Sequence, residues 1–173
     1  MGGTHRSRLI EFPDADGLRP TPDRVRETLF NWLGQTLYGK RCLDLFAGSG
    51  ALGFEAASRG AEQVLMVENN RTVYQSLQAN AQKLGLSNIA LRCEDGLKFA
   101  RQENGLFDVV FLDPPFKSDF LPRILPLLEN SLAPDGVVYL ESGIPFEPDS
   151  AWRELKRAKA GAVHYQLLER KQT

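Results

Sequence analysis

The sequence predicts an α/β fold, a mostly parallel seven-stranded sheet with helices on both faces and an antiparallel hairpin at its carboxyl end. Three observations predict it. From Arg41 onward, short apolar runs alternate with helical patterns, the signature of right-handed βαβ crossovers and a parallel sheet covered on both sides. Two strand ends carry unusual turns, Ala47-Gly48-Ser49-Gly50 and Asp113-Pro114-Pro115-Phe116. The last segment breaks the rhythm, since Trp152 to Lys159 and Val163 to Arg170 mix apolar and charged residues around Ala160-Gly161, a hairpin pattern rather than another βα unit.

The elements follow in order. After a polar, extended start, Thr21 and Pro22 announce a helix as N-cap and first helical residue. Val25, Leu29, Trp32 and Leu33 then recur on one face, and Gly34 ends it. Arg24 and Arg26 fall off that stripe and are expected to be available for other work. Strands are expected at Cys42 to Phe46, Gln63 to Glu68, Ile89 to Cys93, Asp108 to Leu112 and Val137 to Glu141. Helices are expected at Ala51 to Ser58, Arg71 to Leu84, Leu97 to Arg101 and Phe120 to Ser131. The organisation is one compact domain: residues 1–40 form an extension and helix, and residues 41–173 form the sheet-bearing body.

At 173 residues, 42% hydrophobic and 25% charged, the chain has the composition and length for one sizeable core. Cys42 and Cys93 both fall in expected strands, and His5 and His164 are far apart. Reduced, buried thiols are expected, with no disulfide framework and no metal site. No apolar stretch approaches the ~20 residues that span a bilayer, and the amino terminus lacks an apolar signal core. The expected location is the cytoplasm, away from membranes. Net charge is −1 but uneven, at +2 over residues 1–41, −7 over residues 42–150 and +4 over residues 151–173. The termini therefore suit a polyanion, while the acidic centre suits something else.

The stretch Gly48-x-Gly50-x-x-Gly53 formally fits the dinucleotide fingerprint, in which small residues let backbone approach a ligand at a helix start. Asp44, in the strand just before the turn, argues against a pyrophosphate, which its carboxylate would repel. S-adenosylmethionine has no phosphate, and its ammonium and sulfonium are tolerated by an acidic pocket. Ala47, Gly48, Ser49 and Gly50 would form the turn beside it. Glu68, 24 residues after Asp44, is placed to accept from two ribose hydroxyls, with Asn69 following. Asp95 would accept from the adenine amine, and Gly96 would leave room for the ring.

Asp113-Pro114-Pro115-Phe116 closes the apolar run from Phe107 to Leu112 and suggests a site for a flat ring bearing an amine. An exocyclic base amine is a poor nucleophile because its lone pair is delocalised. Accepting its two hydrogens draws the nitrogen toward a pyramidal shape and frees the pair. The Asp113 carboxylate can take one hydrogen and the Pro114 carbonyl the other, with both prolines fixing that carbonyl. Phe116 offers a face for stacking.

Asp113-Pro114-Pro115-Phe116 resembles the motif shared by amino-group methyltransferases acting on DNA, RNA and protein amides. The chain more closely resembles the RsmD family of 16S ribosomal RNA guanine-N2 methyltransferases. That likeness rests on Gly17 to Thr21, Arg24 to Asn31, Leu43 to Gly53 and Phe111 to Phe116, and Arg19 to Asn31 is the part separating this family from other methyltransferases. It implies a Rossmann-like class I S-adenosylmethionine-dependent methyltransferase, a monomer that modifies one guanine of small-subunit rRNA within an assembling 30S particle. It further implies RNA contact by Arg6, Arg8, Arg19, Thr21, Arg24 and Arg26, through phosphates and a flipped base. Relative to the family pattern, Asn69 stands where an acid often follows Glu68. Outside Arg19 to Asn31 the residues leave other acceptors open: adenine N6 or cytosine N4 in DNA, or a protein amide. A non-catalytic assembly factor with the same fold also stays open.

Overall fold

A computed structural model describes residues 23–102, 105–114 and 120–171. Helix α1 spans Asp23–Leu33 and ends where Gly34, at φ 108, returns its N–H to the Phe30 carbonyl at 3.0 Å. The expected cap, Thr21-Pro22, lies outside the described residues. Then follow β1 (Arg41–Asp44), α2 (Ala51–Ser58), β2 (Gln63–Glu68), α3 (Arg71–Leu84), β3 (Ile89–Cys93), α4 (Gly96–Arg101), β4 (Phe107–Leu112), α5 (Phe120–Leu128) and β5 (Leu132–Ser142). The hairpin strands are β6 (Trp152–Ala160) and β7 (Val163–Arg170).

The seven strands lie in the order β3-β2-β1-β4-β5-β7-β6, parallel except that β7 runs against both β5 and β6. The order reverses between β1 and β4, where successive crossovers leave toward opposite edges. In open α/β sheets this switch opens a crevice at the carboxyl ends of the strands. The register sets Asp44 beside Phe111 and Phe111 beside Tyr139, so these three share one row across β1, β4 and β5.

Strand alternation divides the core into two layers. On one face, Cys42, Met66, Val109, Phe111, Tyr139 and Leu167 pack with α1, α2 and α3. On the other, Leu43, Val67, Val110, Leu112, Val138 and Leu140 pack with α4 and α5. Helix α1 enters the first layer through Val25, Leu29 and Phe30, all fully buried. Full burial of such side chains contributes roughly 1.5–3 kcal/mol each. Aromatic contacts extend the anchoring, with Phe30 against Phe111 at 6.0 Å and Trp32 stacked on Tyr165 at 5.3 Å between ring centroids.

The structure departs from the sequence expectation in several places. Strand β1 stops at Asp44, because Leu45 and the residues after it already turn toward α2. Strand β5 starts at Leu132, pairing with Phe107 before a register shift carries it past Pro134-Asp135-Gly136. Helix α5 ends at Leu128, and Glu129–Ser131 tighten into a 3-10 turn. Cys42 is buried as expected, its thiol pushed up to about 12 mainly by burial, but Cys93 is exposed because β3 is an edge strand. Both cysteines are free thiols.

Candidate active site

Asp44 lies at the switch point between β1 and β4. It ends β1, is 4% exposed, and accepts the Gly53 backbone N–H at 3.1 Å through Oδ2, fixing the first turn of α2 above it. Its carboxyl is pushed up to about 7, first by burial and then by the negative charges of Glu68 and Glu141, against the pull of the Gly53 N–H. A buried acid with two acidic neighbours is a place where a cation would be welcome.

The glycine turn is built around the next acid. Glu68 ends β2 and accepts the Gly48 N–H at 2.9 Å through Oε1 and the Asn70 N–H at 2.9 Å through Oε2. Each carboxylate oxygen keeps a second lone-pair direction, so these bonds hold Glu68 still without exhausting its capacity. Gly48 and Gly50 stand at φ 54 and 82, the left-handed region that favours glycine. At Gly50, a Cβ would also sit 2.4 Å from Phe54 Cε2. Ala47 and Ser49 are nearly buried in the turn, whereas Asn69 is exposed beyond Glu68.

Asp95 follows β3 and is the N-cap of α4, accepting the Lys98 N–H at 3.0 Å through Oδ2. The space beside Gly96, expected to stand open for a ring, is filled by Phe46, since a Cβ there would meet Phe46 Cε1 at 2.6 Å. Phe46 in turn meets Phe120 edge-on at 5.2 Å. This aromatic wall was not expected from the sequence, which read Phe46 only as a strand residue.

Asp113 and Pro114 continue β4 past its end and are half-buried beside the crevice. Pro115 and Phe116 lie outside the described residues. On the neighbouring strand, Glu141 occupies the position beside Asp113, because Leu112 pairs with Leu140. It is 7% exposed and accepts the Tyr139 hydroxyl at 2.9 Å. Burial first, then the charge and hydrogen bond of Glu141 and the charge of Asp113, push the Tyr139 hydroxyl far above its ordinary range, so it stays a donor. The sequence offered a signal for Glu141, an acid closing a strand as Glu68 does, but the expectation stopped at the first four strands.

The expected RNA-contacting residues divide. Arg24 is exposed on α1. Arg26 is not available as expected, because its side chain is only 16% exposed and reaches Glu55, a fully enclosed acid of α2, at 3.5 Å. Arg59 holds the other oxygen of Glu55 at 2.8 Å and lays its guanidinium 4.8 Å from the Phe30 ring centre. Helical spacing could not show this, since Glu55 lies on another helix. Arg6, Arg8, Arg19 and Thr21 lie outside the described residues. In the hairpin, Lys156 and Lys159 are exposed, while Arg157 is engaged by Glu147 and Glu154.

Comparison with known proteins places this geometry. The family described as "Conserved hypothetical protein 95" matches residues 1–169. Ribosomal RNA small subunit methyltransferase D of Escherichia coli (strain K12) is 42% identical, over 98% of this chain and 88% of its own length. The chain belongs to the RsmD family. Its counterpart in Haemophilus influenzae, of the same name, is 40% identical over 98% of this chain and 92% of the relative. Among solved structures, a putative methyltransferase from Escherichia coli superposes with a TM-score of 0.90, at 39% identity, over 100% of this chain and 97% of that one. The fold of this family member is the Rossmann-like class I methyltransferase fold, with the seven-stranded sheet and terminal antiparallel hairpin expected.

Proposed function

We propose that this protein transfers a methyl group from S-adenosylmethionine to the exocyclic N2 amine of one guanine in small-subunit rRNA. The observation that carries the reading is that buried Asp44 ends β1 and Asp113-Pro114 follow the end of β4, its neighbour at the sheet's switch point. The names of the relatives supply the RNA class.

The residues fit a cationic donor. Asp44, Glu68 and Glu141 bring acidic groups together at the switch point, and after burial their mutual charge helps to keep the Asp44 carboxyl raised. A sulfonium and an ammonium would relieve it. Glu68 would accept from the ribose hydroxyls and Asp95 from the adenine amine, beside the Phe46 wall. The donor would supply an electrophilic methyl: one C–S bond would break as one N–C bond forms, the sulfur leaving as a neutral thioether and the nitrogen releasing one of its protons. Asp113 and the Pro114 carbonyl would each accept one hydrogen of the base amine and aim the freed lone pair at that methyl. Alignment in a dry pocket then carries most of the rate. Pro115 would stiffen the turn and Phe116 would stack on the base.

The RNA would lie along the basic termini. Arg24 and the exposed Lys156 and Lys159 would contact phosphates, together with Arg6, Arg8, Arg19 and Thr21. The proposed setting is cytoplasmic, with a monomer acting on an assembling 30S particle. Among the described residues, no helix is long and apolar enough to cross a membrane. Incubating the protein and labelled donor with unmethylated 30S subunits, stripped rRNA and duplex DNA tests the reading. Label on guanine N2 of the small-subunit RNA is expected, and label in DNA but not in rRNA would reject it.

A further inference from the structure

The carboxyl rim of the sheet continues into the hairpin. Strand β7 runs against β5, and β6 runs against β7, so β6 points the same way as the parallel strands and ends at the same rim. There Ser142 of β5 pairs with His164 of β7, and His164 pairs with Lys159 of β6. Paired residues on neighbouring strands share a face, with Cβ atoms about 5 Å apart, so the three side chains form one row. Leu140, two places before Ser142, packs in the layer of α4 and α5, which puts the row on that face. Leu112 pairs with Leu140, and the same register carried two places further sets Ser142 level with Pro114.

Each member of the row can donate a hydrogen bond, and none is an acid. Ser142 accepts the Ile144 N–H at 3.3 Å through Oγ, which leaves its hydroxyl hydrogen to give. Among the described residues, the His164 ring and the Lys159 ammonium have no hydrogen-bond or ion-pair partner. The row below differs, since Arg157, paired with Gln166, is engaged by Glu147 and Glu154. Lys159 is exposed, and Ser142 and His164 are half-buried. A base edge presents donors as well as acceptors, whereas a phosphodiester only accepts and carries charge. Donors alone, with one unpaired cation among them, therefore match a nucleic-acid backbone.

Resting on the reading that the guanine is held at the tip of β4, we propose that Ser142, His164 and Lys159 bind the phosphates flanking the target nucleotide. His164 and Lys159 stand two and three strands away, roughly 10 and 14 Å from β4 at the usual spacing. That distance clears the base and reaches its backbone. The three are positioning residues: they fix the backbone about which the base would be turned out toward Asp113 and Pro114.

Once mass spectrometry has placed the methylated guanine, small subunits are reconstituted with a neutral methylphosphonate on one side of it or the other. The wild type is expected to bind one of these particles roughly three- to tenfold more weakly, the size of one solvent-facing hydrogen bond. Ser142→Ala, His164→Ala and Lys159→Gln should each weaken binding of the ordinary particle by a similar factor, with the donor Kd unchanged. Lys159→Gln should also lower the slope of log K against log salt by about 0.7 to 0.9. A merely structural role would not make the variants indifferent to the phosphonate, whereas a direct contact should, so the two losses should fail to add. If His164→Ala does not fold, exposed Lys159→Gln carries the comparison alone. A wild type that binds both phosphonate particles as tightly as the ordinary one overturns the proposal, and so do losses that add in full. A wild type that places no methyl on guanine N2 rejects the underlying reading and the row with it, and the mass of the product tells that failure from the other.

Discussion

Asp44 has a carboxyl raised to about 7, and its consequences run in two directions. The folded protein holds a proton that the unfolded chain, with an ordinary aspartate near 3.9, has already released. Its contribution to stability is therefore complete below about pH 4 and is lost as pH rises through about 7. Asp44→Asn should remove that fall, gaining stability relative to wild type at pH 8 compared with pH 5 in urea denaturation. Donor binding should show the mirror image. If the ionised form receives the cationic donor, affinity should rise nearly tenfold per unit up to about pH 7 and flatten beyond. Calorimetry across that range checks it, and a flat profile would remove Asp44 from the donor site. Asp113 separates the two tasks of the crevice. Asp113→Ala should lower the methylation rate by about a hundredfold or more, as loss of one aimed hydrogen-bonding group does, while the donor Kd stays within about twofold.

Helix α1 is fastened to α2 through one buried acid. Glu55 of α2 is clasped by Arg26 from α1 and by Arg59, whose guanidinium also covers Phe30. Breaking a buried pair by removing one partner costs about 3–5 kcal/mol. Arg59→Ala should therefore destabilise the fold by about 3 kcal/mol in chemical denaturation, and adding Glu55→Gln should recover part of it. Phe30→Ala should cost a similar 3–5 kcal/mol by leaving a cavity against Phe111. What the sequence disclosed follows the same division. Helices α2 and α3 and strands β2, β3 and β7 were legible to the residue, because local periodicity and turn chemistry define them. The true start of β5 was not, since Leu132 joins the sheet only by pairing with Phe107. Nor was the role of Arg26, since its partner comes from a different helix. At the site, Asp44, Glu68 and Asp113 were legible as acids at strand ends. The Phe46 wall and the Tyr139–Glu141 pair were not, because each depends on which strands become neighbours.

Across the whole molecule, the sheet order explains why residues so far apart in sequence can act together. Reversal between β1 and β4 brings Asp44 and Asp113, 69 positions apart in the chain, to the ends of adjacent strands, and β5 adds Glu141 on the same sheet face, level with Asp113. Charge is sorted on the same plan, acidic at the crevice and basic toward the termini. RNA binding should therefore weaken steeply with salt, and donor binding beside buried Asp44 should do so far less. Fluorescence titrations with rRNA and with donor at rising ionic strength distinguish the two. Delivery of the methyl at the tip of β4, with the amine on Asp113 and Pro114, is checked by a crystal structure with S-adenosylhomocysteine. Ribose hydroxyls on Glu68 and the thioether sulfur beside Asp113 are expected; a sulfur lying toward the hairpin, away from that tip, would overturn delivery there.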